Sequence, residues 1–512
     1  MQLRHFLAAA LAAAAVAAAE GAPRINQEGR ILGPAPFVTN AILFDTTNAD
    51  AVVSAMQIFP VTSAYNEDVS RLPVLANSDA MIAQIGSDLL STRQTLRLFQ
   101  EMNFVLVPDG QPLVSVPFDY AANQSDLNGG AYPNGLYPVP ANMPIEGWPM
   151  QTQGETLAQA QTDAFGEGGD RHGIIVEPAA GRDFEMWEAL LSDGNWGAAN
   201  GAIFDLTSNN LRPAGWTSGD AAGLSMFAPL VRYDECERGM VEHACRLVVK
   251  RSLYNNYFYP ATHFASYSTN TSTNLPSMGQ RLRLKASFAI PGNWAREEKA
   301  VALGLKKYGA LVADNGNFFS ISIAPDDRWP AGAFDHITSV GITNFEVVQS
   351  TGPNGGPRSP GAPSASTGGD QTITNTLTAM LRGFVNYTGA RPAILWTEYS
   401  GPGTATFGDA TQTNTTAAFS VAGVYTLELS AADGIHAVAY DAAMITVTNA
   451  IFVSASRVAQ SISLTWSGGA APYVVDQAPA LPASWTSVAT TAAPSIQLPA
   501  TNRAEFLRVR SH

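Results

Sequence analysis

Residues 169–190 read GDRHGIIVEPAAGRDFEMWEAL and place a histidine and five carboxylates in and around two apolar runs. The runs GIIVEP and DFEMWEA are separated by a Gly-containing turn, which predicts two neighbouring strands. Short runs of the same kind recur between residues 20 and 350: NFVLVP, LVSVPFDY, AIFDL, CRLVVKRS, RLRLKASFAI and FFSISIAP. Many strands with few helices predict a mainly β fold, with a large β-sandwich or jelly-roll-like domain and two small β-sandwich tail modules.

The chain divides at a segment without hydrophobic periodicity. Residues 351–370, TGPNGGPRSPGAPSASTGGD, are dominated by Pro, Gly and Ser and predict a linker. This linker follows the large domain, residues 20–350, and precedes two short β-rich units, residues 371–450 and 451–512. In the first of these units Tyr425, Leu427 and Leu429 share one face at period two, as in a half-buried strand.

The first residues predict export. Residues 1–19, MQLRHFLAAALAAAAVAAA, combine a short basic start, an apolar run and small residues, the layout of a secretory signal peptide cleaved after Ala19. The apolar run is shorter than the about 20 residues that span a bilayer, and no later run is as apolar. We therefore expect no membrane span, and a location outside the cell, in the periplasm or at the cell surface.

The charge balance excludes one class of partner. The chain has 29 Lys and Arg against 43 Asp and Glu, a net charge of −14, and only 14% charged residues. Nucleic-acid binding needs dense Lys and Arg, so nucleic acid is not an expected partner. A weakly charged, Thr-rich surface is common among exported β-proteins that handle carbohydrate, which favours polysaccharide as the partner. We also expect the protein to be a monomer.

The two cysteines, Cys236 and Cys245, lie close together in the sequence. A cytosolic protein would keep them as thiols, whereas an oxidising compartment favours a short-loop disulfide, which is our expectation. Their spacing does not match a zinc site.

The acids of the opening stretch are candidate catalytic groups. On an extended strand Asp183 and Glu185 share a face, and Glu188 returns to that face if a bulge intervenes. The pattern D-x-E-x-x-E resembles, with acid types exchanged, the E-x-D-x-x-E strand of retaining jelly-roll endoglucanases. That resemblance implies that Asp183 and Glu188 are the catalytic pair. The alternative is a solvated strand edge.

Histidines form a second candidate site. His172, His243 and His263 lie at the ends of predicted strands. If those ends converge, the three histidines and Glu185 form a site for a divalent metal. The chain has no H-x-H pair, and the alternative is that each histidine is hydrogen-bonded separately at a rim.

Basic residues form a third candidate site. In QRLRLKASF, Arg281, Arg283 and Lys285 alternate with apolar residues, which predicts a cationic face on one strand. A lyase needs such a face to neutralise a uronate carboxylate, and His263 with Tyr259 or Tyr267 would supply base and acid. The alternative is an exposed face whose charges pair with acids opposite.

A long run around a Gly-rich loop carries a resemblance. Residues 204–235, FDLTSNNLRPAGWTSGDAAGLSMFAPLVRYDE, follow GDRHGIIVEP and precede YPATHFAS, MGQRLRLKASF and KKYGALVADNG. Together they resemble a group of secreted bacterial proteins with a signature close to GWTSADAAGLP. The resemblance spans most of residues 45–350 and implies one large domain, but no activity. Within the run Trp216 either stacks on a sugar or fills the core, and Asp205 and Arg212 are further candidates.

The tail resembles known modules. ILWTEYSGPGTATF and the SAADG turn resemble PKD-like and immunoglobulin-like modules over residues 371–450, and residues 451–512 resemble the fibronectin-like tails of secreted bacterial enzymes. Such modules hold substrate or act as spacers.

These observations favour a secreted protein that degrades polysaccharide, as a glycoside hydrolase or a polysaccharide lyase. The candidate catalytic residues are Glu185, His172, His243, His263, Asp205 and Arg283. The candidate substrate-binding residues are Trp216, Arg212, Arg281, Lys285 and Tyr259. The alternative is a non-catalytic glycan-binding or adhesion protein.

Overall fold

A computed structural model describes residues 23–152, 154–163, 169–349, 358–449, 451–469, 471–480, 484–500 and 506–511. Two predicted segments lie outside the described residues in whole or in part. They are the signal peptide, residues 1–19, and the first seven residues of the linker, 351–357. The described chain is mainly β, as predicted.

The large domain contains the first fifteen strands and five helices. The strands are β1 (Ile42–Leu43), β2 (Leu96–Gln100), β3 (Val105–Leu106), β4 (Val114–Pro117), β5 (Asn134–Tyr137), β6 (Gly173–Glu177), β7 (Arg182–Trp187), β8 (Leu190–Ser192), β9 (Asn195–Gly197), β10 (Asn200–Asp205), β11 (Cys245–Val249), β12 (Arg281–Leu284), β13 (Ala310–Asn315), β14 (Phe319–Ile323) and β15 (Phe345–Val347). The helices are α1 (Thr47–Ser54), α2 (Ser78–Ser87), α3 (Leu157–Thr162), α4 (Tyr233–Arg238) and α5 (Arg296–Lys307).

Two larger sheets organise this domain. One has the strand order β1-β3-β6-β7-β10, and the other has the order β15-β12-β13-β11-β14-β2. Both sheets are mixed: β3–β6, β11–β13 and β14–β2 are parallel pairs, whereas a jelly roll pairs its strands antiparallel. Two short hairpin sheets, β4–β5 and β8–β9, accompany them.

The first sheet is covered on both faces, which explains the unbroken apolar run in β6. Ile174 and Val176 pack into the core that also contains Leu247 and Ile321 of the second sheet. The opposite face of the same sheet, including Ile175 and other side chains, packs into a separate core with β4 and β5. A strand buried on both faces needs no polar alternation, and β6 is buried along its whole length.

The tail contains the remaining strands. They are β16 (Ser364–Ser366), β17 (Gln371–Thr374), β18 (Thr378–Arg382), β19 (Phe384–Asn386), β20 (Ala393–Ser400), β21 (Ala405–Phe407), β22 (Asn414–Phe419), β23 (Gly423–Ala432), β24 (Ala439–Thr448), β25 (Phe452–Val458), β26 (Ser461–Ser467), β27 (Tyr473–Ala478), β28 (Thr486–Thr491), β29 (Ser495–Pro499) and β30 (Phe506–Ser511). Side chains of these strands form two separate small cores, one around Trp396 and Tyr425 and one around Trp466 and Val475.

Part of the predicted linker, residues 364–366, belongs to the first tail module. Strand β16 pairs antiparallel with β19, so Ser364–Ser366 is part of a sheet. The same segment contacts the large domain, because Ser359 Oγ donates a hydrogen bond to Glu67 Oε1 over 2.5 Å. Further along the module, the Tyr399 hydroxyl oxygen accepts a hydrogen bond from the Ile31 N–H at 3.2 Å.

The predicted disulfide is not formed. Cys236 on α4 and Cys245 at the start of β11 are both free thiols. Each side chain fills a buried position in the main core, and burial raises the pKa of both thiols. The two cysteines therefore act as small core residues, where the sequence spacing predicted a cross-link.

No helix in the described ranges is long and apolar enough to cross a bilayer.

Candidate functional site

Residues 211–227, here called the signature loop, form a tight and largely internal structure. The Ser218 hydroxyl donates to the carbonyls of Asp220 at 3.0 Å and Leu224 at 2.6 Å. Gly223 has a φ of +73°, and a Cβ at that position would lie 2.1 Å from Thr262 Oγ1, so a side chain has neither the conformation nor the room. Gly223 of the signature therefore has both a conformational and a packing reason.

Two carboxyl groups of β7 hold the end of this loop. Asp183 and Glu185 are both fully buried. The Ser225 hydroxyl donates to Asp183 Oδ2 at 2.9 Å, and the N–H groups of Met226 and Phe227 donate to Glu185 Oε1 at 2.5 and 3.2 Å. The carboxyl groups of the strand thus accept hydrogen bonds from the hydroxyl and N–H groups of the loop and hold the loop against the strand.

The same two carboxyl groups interact with each other. Burial raises the pKa of Asp183 to about 6, and burial together with the Asp183 charge raises the pKa of Glu185 further. Within the described part of the chain, Asp183 Oδ1 and Glu185 Oε2 have no N–H or hydroxyl donor. Because the side chains lie within hydrogen-bonding reach of one another, a proton held by the pair satisfies these oxygens.

The predicted catalytic pair of Asp183 and Glu188 does not form. Glu188 lies beyond the end of β7, is exposed and has a φ of +53°. Its N–H donates to the Asp170 carbonyl at 3.0 Å, whereas Asp183 is enclosed below the loop. The chain turns away immediately after the strand, so the two carboxyl groups do not flank one substrate.

His172 binds the middle of the signature loop. Its Nδ1 lies 2.9 Å from Glu146 Oε2, and its Nε2 lies 2.8 Å from the Gly219 carbonyl oxygen. Burial disfavours the charged ring, but Glu146 outweighs burial and raises the pKa of His172 to about 9. Two acceptors around a protonated imidazole make His172 a double donor.

His172 and Glu185 flank the same glycine. A Cβ on Gly219 would lie 3.4 Å from His172 Cδ2 and 3.6 Å from Glu185 Oε2. Two of the predicted catalytic residues therefore do meet, beneath the loop. Both are buried: Glu185 accepts from N–H groups of the loop, and His172 contacts a loop carbonyl and Glu146.

Arg246 binds the next residue of the loop. Its Nε and Nη2 donate to the two carboxylate oxygens of Asp220 at 3.1 and 3.0 Å, and Nη2 also donates to Asp314 Oδ2 at 3.0 Å. Asp220 and Arg246 are buried, while a quarter (25%) of the Asp314 side chain is exposed. Arg246 thus connects the buried Asp220 to Asp314, whose side chain is partly exposed to solvent.

Glu101 lies on the other side of Arg246. The Ser322 hydroxyl donates to Glu101 Oε1 at 2.9 Å and accepts from Arg246 Nη1 at 3.4 Å. Burial, and then the charge of Glu146, raise the pKa of Glu101 to about 7. Glu101 is only partly buried, so an acid that titrates near neutrality meets solvent beside Arg246. This arrangement is able to donate and accept protons.

An aromatic pair lies next to this cluster. In the register of β6 with β7, Gly173 is opposite Met186, which places His172 opposite Trp187 on the face that carries Glu185. The rings of Tyr120 and Trp187 are stacked, with centroids 6.1 Å apart, and Tyr120 is half exposed. The end of the first sheet therefore presents a partly exposed aromatic pair on the side where His172 lies.

The predicted metal site does not form. His243 contacts Glu235 Oε2 at 3.0 Å, and His263 Nδ1 lies 2.8 Å from the Ala221 carbonyl oxygen. His172, His243 and His263 are thus bound separately, which matches the alternative interpretation. Among the described residues, no group of three or more His, Cys, Asp and Glu is arranged to hold a metal ion.

The predicted basic face is an interior face. Arg281 and Arg283 are 2% and 7% exposed, and β13 lies between β12 and β11. Arg281 donates to the carbonyls of Tyr308 and Ala64, and Arg283 donates to those of Val69 and Leu72 and to Glu346. Lys285 reaches the Thr343 carbonyl at 2.9 Å. A segment distant in sequence, residues 64–72, covers the charges that were expected to bind substrate.

The other candidates are dispersed. Arg212 is buried and donates to Asp126, to the Gln124 carbonyl at 2.7 Å and to the Thr217 carbonyl at 2.9 Å, with its guanidinium 5.6 Å from the Trp216 ring. Asp205 accepts hydrogen bonds from Thr207 in an exposed turn. Tyr259 lines a groove on another part of the loop.

Four acids of the cluster were not predicted: Glu101, Glu146, Asp220 and Asp314. They come from separate segments and follow no local spacing with His172 or Arg246. The sequence signals are weak: Asp220 lies within the Gly-rich signature run, and Glu101 shortly precedes the predicted strand NFVLVP.

Neither the known family models nor the curated proteins include a match to this chain. Solved structures similar to part of it include a PKD domain from the KIAA 1837 protein (19% identity, 18% of this chain, 90% of that chain, TM-score 0.16). The PKD domain of human KIAA0319 (19%, 20%, 92%, 0.16) and fibronectin(III)-like modules of Clostridium thermocellum CbhA (13%, 29%, 84%, 0.14) are also similar. At these TM-scores they say nothing about activity.

Proposed function

We propose that the protein is an exported glycoside hydrolase in which Glu101 is the general acid and Asp314 the general base. The observation that carries this proposal is the position of two solvent-reaching carboxyl groups on either side of Arg246. Glycoside hydrolysis needs two carboxyl groups, one of them protonated at the working pH.

Glu101 fits the acid role because its pKa, raised to about 7, keeps a large share of the carboxyl groups protonated near neutral pH. It donates its proton to the glycosidic oxygen as the bond from that oxygen to the anomeric carbon breaks. Water supplies the hydroxyl group of the anomeric carbon, and its proton passes to Asp314. Exchange with solvent returns both carboxyl groups to their starting states.

The two carboxyl groups do not face each other directly. The Ser322 hydroxyl and the Arg246 guanidinium link them, and inverting enzymes are those that keep their two carboxyl groups further apart, about 6.5–9.5 Å, to leave room for a water molecule. The proposal therefore predicts inversion at the anomeric carbon. The residues that lie below, His172, Asp220 and Arg246, position the loop and the acids without contacting substrate.

Two features favour a sugar polymer as substrate. The stacked Tyr120–Trp187 pair, at the end of the first sheet, offers a flat apolar face of the kind that packs against ring C–H groups. The low content of charged residues, 14%, and the predicted signal peptide also suit an exported carbohydrate-active protein. Lyase chemistry is disfavoured, because Arg281 and Arg283 are buried against carbonyl groups.

The test is product analysis after incubating the full chain with neutral and uronic-acid polysaccharides. We expect new reducing ends, an inverted anomer in the first products, and no unsaturated sugar. Glu101→Gln and Asp314→Asn should each lower kcat by about 10²–10⁴-fold. Asp193→Asn is the matched control, because Asp193 lies in an exposed turn at a φ of +50° that Asn adopts readily.

Two results would contradict the proposal. Unsaturated products would indicate a lyase. Retention on a polymer without any product would indicate the alternative, a glycan-binding or adhesion protein.

A further inference from the structure

We propose that a second groove, lined by Leu211, Arg212 and Gly223 of the signature loop, is a non-catalytic binding site for a neutral sugar ring. The groove is open to solvent and its enclosed part is only about 20 Å³, so a sugar ring would lie against its lining and not inside it. Sites for small ligands combine an apolar lining with a few polar groups, and this groove has that composition.

The apolar part comes from aromatic and aliphatic side chains. Tyr65 forms the buried floor and stacks on Phe59 with ring centroids 5.0 Å apart. Tyr259 is partly exposed, and Leu211 is 46% exposed at the rim. A stacked floor with an accessible tyrosine at its side suits the apolar face of a sugar ring.

The polar part includes an acceptor without a partner. Asn209 Nδ2 donates to Thr62 Oγ1 at 2.9 Å, which fixes the side-chain amide. Its Oδ1 is buried and, among the described residues, has no hydrogen-bond donor. A ligand hydroxyl reaches the side chain of Asn210 instead, which follows Asn209 in the lining and is exposed.

The charges of the groove favour a neutral ligand. Arg212 lines it, but its three guanidinium nitrogens donate to Asp126, the Gln124 carbonyl and the Thr217 carbonyl, and its side chain is 2% exposed. Glu67 adds negative charge near Tyr259, since burial and then the Glu67 charge raise the pKa of Tyr259. A uronate would meet no available cation here, so a neutral sugar is the better fit.

The ligand class rests on the proposed function, but the groove contains neither Glu101 nor Asp314. Its role is to hold the polymer while another part of it reaches the acids. Binding and cleavage are therefore measured separately, so that failure of one is distinguishable from failure of the other.

The experiment titrates the full chain, as the Glu101→Gln variant, with cellohexaose, xylohexaose, mannohexaose and trigalacturonate by calorimetry. We expect at least one neutral hexasaccharide to bind, and trigalacturonate not to bind. Tyr259→Ala should weaken that binding at least tenfold, Tyr259→Phe should retain most of it, and Asn210→Ala should weaken it several-fold. Tyr267→Ala is the matched control, because Tyr267 is 82% exposed and lies outside the groove.

Three results would overturn the groove proposal: no binding of any neutral hexasaccharide, tighter binding of trigalacturonate, or equal losses in Tyr259→Ala and Tyr267→Ala. Thermal unfolding of each variant shows whether a loss comes from misfolding, and Tyr259→Phe, which keeps the ring, decides the case if Tyr259→Ala does not fold. Binding lost in Tyr259→Ala supports the groove even if no polymer is cleaved. Cleavage without groove binding overturns this proposal and leaves the proposed function standing.

Discussion

Strands β7 and β12 both carry two charged side chains on a buried face, but the partners of those charges differ. Asp183 and Glu185 of β7 meet each other and the donors of the signature loop. Arg281 and Arg283 of β12 donate mainly to main-chain carbonyls of residues 64–72 and 308.

The difference separates a region whose stability depends on pH from one whose stability does not. Asp183 and Glu185 share a proton and accept hydrogen bonds from the loop. When they lose that proton, the free energy that holds the loop in place changes. Guanidinium groups that satisfy carbonyls stay charged at every pH of interest, so they fix a segment permanently. Three variants test this comparison.

The largest loss in the free energy of unfolding is expected from Arg246→Met, which removes the ion pair between Arg246 and Asp220 of the signature loop. The variant leaves the buried Asp220 carboxylate without its cation, which typically costs about 3–5 kcal/mol. Urea unfolding at pH 7 measures the loss. Arg71→Met is the control, since Arg71 is exposed and such a surface substitution changes stability by no more than about 0.5 kcal/mol. Equal losses in the two variants would show that the ion pair does not hold the loop.

The next effect is expected from Asp183→Asn, which removes one member of the carboxyl pair. The folded state keeps a proton on Asp183 up to about pH 6, against an ordinary pKa of 3.8. Its contribution to stability is therefore fully present below pH 3.8 and is lost as pH rises through about 6, on the order of 3 kcal/mol.

In Asp183→Asn this titration is absent. Urea midpoints at pH 4, 5.5 and 7 should show the wild type losing stability relative to the variant as pH rises. Asp193→Asn should follow the wild type throughout. Parallel curves for wild type and Asp183→Asn would mean that the pair does not share a proton.

The smallest effect is expected from Arg283→Met on β12. The carbonyls of Val69 and Leu72 lose a buried donor, which costs about 1–3 kcal/mol. The loss should be the same from pH 5 to pH 8, and kcat should not change. Lys285→Met on the same strand is the control, because Lys285 is more exposed. A pH-dependent loss in Arg283→Met would remove the distinction between the two strands.

Local spacing predicted the strands but could not predict what covers them. Alternation at period two correctly placed Asp183 with Glu185, and Arg281 with Arg283, on common faces. Which face meets solvent depends on residues 64–72 and 211–227, which are distant in sequence. The same limit explains why Glu101, Glu146 and Asp314 were missed, and why Cys236 and Cys245 were expected to pair.

The account depends most on Glu101 acting as an acid with a pKa near neutrality. The most direct test is the pH dependence of kcat/KM on a cleaved polysaccharide, for the wild type and for Glu101→Gln. We predict that the wild-type value falls about tenfold per pH unit above pH 7, where Glu101 loses its proton, and that this limb is missing from a residual Glu101→Gln activity. A wild-type value that is constant from pH 6 to pH 9, with Glu101→Gln equally active, would contradict the account.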